Sequence, residues 1–117
     1  IRLSGMEGTM TEDDLQRSVK RYLDLLGLDW CHVPNEGKRS RGNQFKHKGL
    51  KSGVPDCLIF NPHNEYSGTA IELKIENNKQ SDNQKEWELK LINCGWSYHV
   101  CRSLDEVIEL IKINYRK

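Results

Sequence analysis

Once Thr11 is passed, apolar residues recur at helical spacing: Leu15, Val19, Tyr22, Leu23 and Leu26 fall on one stripe. Thr11 is placed to cap the first turn, while Glu12, Asp13 and Asp14 suit the positive end of the helix dipole. Gly27 is expected to end the helix. A short apolar run over 30–33 then predicts a strand, which Pro34 and Asn35 break. Periodicity disappears until two β-rich runs, 54–60 and 69–75, separated by Asn61, Pro62, His63, Asn64 and Gly68. That pattern predicts an antiparallel hairpin of two central strands.

The second half of the chain alternates differently. Ser81 and Gln84 form an S-x-x-Q capping box ahead of a helix whose Trp87, Leu91 and Cys94 share a stripe, and Gly95 closes it. A strand over 96–101 follows, and Ser103 with Glu106 opens a last helix through Val107, Leu110 and Ile111. A strand, a helix and a strand in succession imply a right-handed crossover with parallel strands. The expected fold is therefore α/β, in the order α-β-β-β-α-β-α, with a mixed four-stranded sheet flanked by helices.

At 117 residues the chain holds one domain, assigned to 11–117, and hence one core and one site. Residues 1–10, with scattered Gly, Ser and two Met, are neither periodic nor signal-like and are set aside as an appended remnant or an unstructured N-terminus. No apolar run approaches the roughly 20 residues that span a bilayer, so no membrane partner is expected. The four cysteines lack CxxC spacing. Cys31, Cys57 and Cys101 fall in apolar runs, which predicts buried, reduced thiols in an intracellular, cytoplasmic protein. Trp30, Trp87 and Trp96 are expected to pack in the core. His32, His47, His63 and His99 have no partner at motif spacing.

Charge changes the picture only locally. Lys plus Arg (18) nearly balance Asp plus Glu (17) overall. Within 34–53, however, Lys38, Arg39, Arg41, Lys46, Lys48 and Lys51 face a single acid, Glu36. Such a cluster is suited to the DNA backbone, where each neutralised phosphate releases counterions.

Strand alternation points Glu72 and Lys74 to one side and Ile71, Leu73 and Ile75 to the other, into the core. Asp56, at the start of the neighbouring hairpin strand, would lie near Glu72 on the same face. Two adjacent carboxylates resist joint ionisation unless a cation neutralises them, and hard oxygen ligands select Mg²⁺ or Mn²⁺ over zinc. A metal held this way activates water and stabilises charge on a phosphate, the requirements of phosphodiester hydrolysis. An isolated E-x-K is more often a cross-strand salt bridge. Here it follows GVPD at 53–56 and a basic loop, in order.

The stretches PNEGKRSRGNQ (34–44), GVPD (53–56), IELK (71–74), QSDNQKEW (80–87) and VCRSLDEV (100–107) together resemble the VRR-NUC domain of the PD-(D/E)xK nuclease superfamily. That module occurs alone in many phages and at the end of the Fanconi-associated nuclease. The resemblance spans nearly all of 12–115. It implies a restriction-endonuclease-like core and a metal-dependent endodeoxyribonuclease. Asp56 and Glu72 would be metal ligands together with the carbonyl of Leu73, and Lys74 the catalytic lysine. Gln84 matches the family's helix glutamine, although capping Ser81 is already a sufficient role; Glu12 matches the acid of its first helix, although the helix dipole also accounts for it. Lys38, Arg39 and Arg41 match the family's basic segment, with Lys46, Lys48 and Lys51 tracking flanking phosphates. The expected substrate is branched DNA, a Holliday junction or a flap, and a homodimer with two sites would suit a two-fold junction. The rival readings are a DNA-binding module without catalysis and a sequence-specific restriction-type enzyme.

Overall fold

A computed structural model of the chain describes residues 10–34 and 51–115. Helix α1 (Glu12–Leu25) opens on a reciprocal cap: the Asp14 N–H donates to Thr11 Oγ1 and the Thr11 N–H to Asp14 Oδ2, each at 3.1 Å. Gly27, with φ at 72°, turns the chain out of the helix. There follow β1 (Trp30–His32), β2 (Cys57–Ile59), β3 (Thr69–Leu73), α2 (Asp82–Asn93), β4 (Ser97–Cys101) and α3 (Leu104–Tyr115). This is the order that the hydrophobic pattern predicts.

The four strands form one sheet in the order β1-β2-β3-β4. β1 and β2 pair antiparallel, as do β2 and β3, while β3 and β4 run parallel across the α2 crossover. The strands are shorter than their apolar runs. Pro55 has no N–H to give a ladder, so β2 begins only at Cys57. Beyond Leu73 the chain turns away through Glu76, whose φ is 51°.

Helices α1 and α3 cover one face of the sheet. Leu15, Val19 and Leu23 from α1 meet Val107 and Ile111 from α3 over Cys57, Ile59, Ile71, Leu73 and Cys101, all buried. On the opposite face α2 lies against β4, and its one buried residue is the polar Gln84. The stripe expected to bury Trp87, Leu91 and Cys94 is only half covered: Trp87 and Leu91 are half-buried and Cys94 is exposed. All three tryptophans are likewise half-buried rather than core residues. Trp30 packs against the core edge, Trp87 lies under the Lys90 ammonium, and Trp96 meets Phe60 edge-on. Cys31 is exposed, contrary to expectation, because β1 is the sheet's short outer strand. Cys57 and Cys101 are buried, and all four thiols are free.

Away from the acidic cluster, a polar chain threads the same layer. Tyr115 Oη donates to the carbonyl of Asn61 and lies 2.8 Å from Thr69 Oγ1, which accepts from Ser97 Oγ; His63 Nε2 lies 3.3 Å from that hydroxyl. Burial holds His63 and His99 below the usual histidine range. Among the described residues no helix is long and apolar enough to cross a membrane.

Leu15 is the first apolar anchor of α1 and is fully buried. Leu15→Ala is expected to lose about 2–5 kcal/mol of unfolding free energy, read as a lower midpoint with unchanged slope in urea denaturation.

Candidate active site

The site forms where β2 enters the sheet beside the end of β3. Extending the Cys57–Ile71 pairing by one residue sets Asp56 opposite Glu72. Asp56 is fixed from β3: its Oδ2 accepts the backbone N–H of Leu73 at 2.8 Å. Its own carbonyl accepts the Val33 N–H at 2.9 Å, which ties the residue to the end of β1 as well. Glu72 lies on the α2 side of β3 and is 2% exposed. Lys74, just past the strand, holds its backbone by donating to the Cys101 carbonyl and brings Nζ to 3.9 Å from Glu72 Oε2.

Gln84 makes a contact with each end of its amide. Its Oε1 accepts the Ser81 N–H at 2.8 Å, completing the capping box, while its Nε2 donates to Glu72 Oε2 at 2.8 Å. The cap orients the amide and the amide grips the acid.

Gly53 explains the glycine of GVPD. Its φ is 93°, and a methyl group there would sit 2.6 Å from the Asn83 backbone. The loop entering β2 can therefore lie directly on the first turn of α2, where Asn83 also donates to Ser52 Oγ. This contact brings Asp56 and Gln84 to the same acid.

Electrostatics expose the site's unresolved demand. Burial, then the charge of Asp56, pushes Glu72 up to about 9, against the pull of Lys74. Burial also raises Asp56, opposed by the Leu73 N–H. The charge of Glu12, half-buried in the first turn of α1, pushes both acids in the same direction. Among the described residues, the buried Glu72 Oε1 has no hydrogen-bond partner. An acceptor stranded in this way is costly unless a donor or cation reaches it.

Divalent metal chemistry fits this set. Among the described residues no group of three or more His, Cys, Asp or Glu side chains could hold a metal ion. Two carboxylates remain, hard oxygen donors that suit a divalent cation retaining several waters rather than a four-ligand structural zinc site.

Of the expected site residues, the structure brings together Asp56, Glu72, Lys74 and Gln84, with Glu12 near enough for its charge to be felt. Lys51 is exposed. Lys38, Arg39, Arg41, Lys46 and Lys48 lie outside the described residues. Sequence reasoning passed over His32, whose Nδ1 is 3.1 Å from the Asp56 carbonyl and which also meets Gln16 of α1. No motif spacing signals it, since its partner is a backbone atom 24 residues away.

A mixed sheet with helices on both faces and an acid pair beside a lysine defines a restriction-endonuclease-like α/β domain. The family model of the VRR-NUC domain matches residues 7–105, and the chain belongs to that family of nuclease domains. A solved structure named "VRR_NUC domain protein" superposes with a TM-score of 0.73 at 28% identity, covering 89% of this chain and 87% of that one. A second, "VRR_NUC domain", gives 0.60 at 24% identity, covering 86% and 94%, and supports the fold alone. Over 54 residues the chain is 35% identical to the Fanconi-associated nuclease 1 homolog of Arabidopsis thaliana; that match covers 44% of this chain and 6% of the relative.

A carboxyl whose folded pKa lies above its unfolded value favours folding while protonated. For Glu72 that contribution is complete below its ordinary 4.5 and is lost as pH rises toward about 9. Urea denaturation in EDTA at several pH values should show wild type losing stability relative to Glu72→Gln across this window, by at most about 1.4 kcal/mol per pH unit. A pH-independent difference between the two would contradict the shift. Gly53→Ala should separate the loop from α2 and destabilise the fold by about 1–3 kcal/mol in the same assay.

Proposed function

We propose that this chain is a metal-dependent endodeoxyribonuclease of the PD-(D/E)xK type, hydrolysing DNA phosphodiester bonds with preference for branched substrates. The observation that carries the reading is the stranded, buried Glu72 Oε1 beside Asp56, an arrangement that a divalent cation would relieve. Family membership supports nuclease chemistry.

Asp56, Glu72 and the Leu73 carbonyl would hold Mg²⁺ or Mn²⁺. Such an ion supplies an acidified water and charge stabilisation at phosphorus. The protein's own groups do the positioning. Leu73 N–H and Gln84 Nε2 fix one oxygen each of Asp56 and Glu72, and Glu72 Oε1 would be available to the ion. Lys74 Nζ, 3.9 Å from Glu72 and largely shielded from solvent, is placed to hold the attacking water or to neutralise the phosphate oxygens. Glu12 adds a third acidic group at the rim of the site. The basic residues Lys38, Arg39, Arg41, Lys46, Lys48 and Lys51 would engage the DNA backbone, and a homodimer would present two such sites to a four-way junction.

The test incubates labelled linear, flap and four-way-junction DNA with Mg²⁺ or Mn²⁺ and compares wild type with Lys74→Ala and Asp56→Asn. Wild type is expected to cut branched DNA best, with both variants reduced by at least about 10²-fold while DNA binding persists, and EDTA abolishing cleavage. Binding without cleavage of any substrate by wild type would instead identify a DNA-binding module. Discrete bands from a plasmid digest would identify a sequence-specific enzyme.

A further inference from the structure

Beside the acidic cluster, α1 and β1 enclose a groove of about 550 Å³ that none of the catalytic side chains uses. We infer that this groove receives one unpaired nucleotide of the DNA substrate, its base stacking on Trp30, an inference that rests on the nuclease reading above.

Three features carry it. First, the indole is held in place. Trp30 packs against the core edge, lines the groove, and donates Nε1–H to Asp24 Oδ1 at 2.8 Å. Asp24 Oδ2 in turn accepts Lys20 Nζ at 2.8 Å. A fixed aromatic ring is a ready stacking platform, since its ordering cost has already been met in the free protein.

Second, the inner end of the groove reaches the backbone of one proposed catalytic residue. Trp30 and His32 alternate to the same side of β1, and both line it. His32 Nδ1 is 3.1 Å from the Asp56 carbonyl, so the inner end of the groove abuts the proposed metal ligand. A nucleotide lying there would be next to the phosphate held at the cluster.

Third, the charges suit a base better than a phosphate. Arg17 and Lys20 are matched on the walls by Asp13 and Asp24, and Lys20 is already engaged by Asp24. A phosphate needs an excess of cations. A heterocycle with donor and acceptor edges fits paired acids and bases around an aromatic ring, and pockets of roughly 300–1,000 Å³ hold ligands of that size.

Gln16 lines the groove from α1, carries no charge and is partly exposed, so a thiol introduced there makes the inference testable without reference to cleavage. In a Cys31→Ser, Cys94→Ser background, iodoacetamide labelling of the Gln16→Cys variant of the full chain is measured with bound flap DNA and with a fully paired duplex of equal length, in EDTA. Flap DNA should slow labelling at least fivefold more than duplex does. Trp30→Ala should weaken flap binding by roughly fivefold to a hundredfold, the range that stacking one base supplies, with duplex binding little changed and Trp30→Phe close to wild type. Equal protection of the Gln16→Cys thiol by flap and duplex would overturn the inference even if Trp30→Ala failed to fold. Protection without cleavage in Mg²⁺ would leave the groove standing and remove the nuclease reading; cleavage without selective protection would do the reverse.

Discussion

Two carboxyl groups placed side by side out of water are the constraint around which this domain is organised. Burial raises the proton affinity of both Asp56 and Glu72, and the charge of Asp56 raises that of Glu72 further. The two side chains are hydrogen-bonded to each other, and each is also held from another element: Asp56 by a backbone N–H of β3 and Glu72 by a side-chain amide from α2. Lys74, at 3.9 Å, lies at the outer limit of an ion pair and does not cancel the charge. This distance also sets the pair apart from the ordinary surface salt bridge that an E-x-K sequence most often denotes, because Glu72 and Lys74 are 3% and 13% exposed at their side chains.

The sheet's topology follows from the need to hold those groups. β2 and β3 are the central strands, so each is fixed from both sides: Asp56 has β1 at its carbonyl and β3 at its carboxylate. The core that supports them lies entirely on the opposite face, where Ile71 and Leu73 pack under α1 and α3. Glu72 is then the residue between two fully buried hydrophobics, and its position is as rigid as theirs. α2 contributes little apolar burial, and its principal service to the fold is Gln84.

Much of this was legible in the sequence because it depends on local rules. The period of Leu15, Val19 and Leu23, the capping boxes at Thr11 and Ser81, and the alternation of Ile71, Glu72 and Leu73 each encode an element or a face directly. The convergence of Asp56 on Glu72 followed from hairpin register. What could not be read depends on sheet order and on backbone partners. Cys31 has an apolar neighbourhood in sequence yet lies on an outer strand, and Trp87 and Leu91 share a stripe that the sheet covers only in part. His32 meets a carbonyl, which has no residue type to recognise. Gln84 was ambiguous because capping and gripping the acid looked like alternatives, whereas the two ends of one amide do both.

The energetics of Glu72 argue that the arrangement serves chemistry. A buried acid with one oxygen unpartnered weakens the fold, and replacement of such groups by apolar residues of similar size is often neutral or stabilising. The domain nonetheless spends a capping glutamine and a strand-entry aspartate on keeping that acid in place, and packs Gly53 against α2 at a φ of 93°, where a side chain is strained and would collide, to bring them together. A buried acid left unsatisfied and held by groups from several elements is the pattern expected where stability has been given up for a binding task. An ion pair maintained for stability alone would close the distance to Lys74 and leave no oxygen stranded.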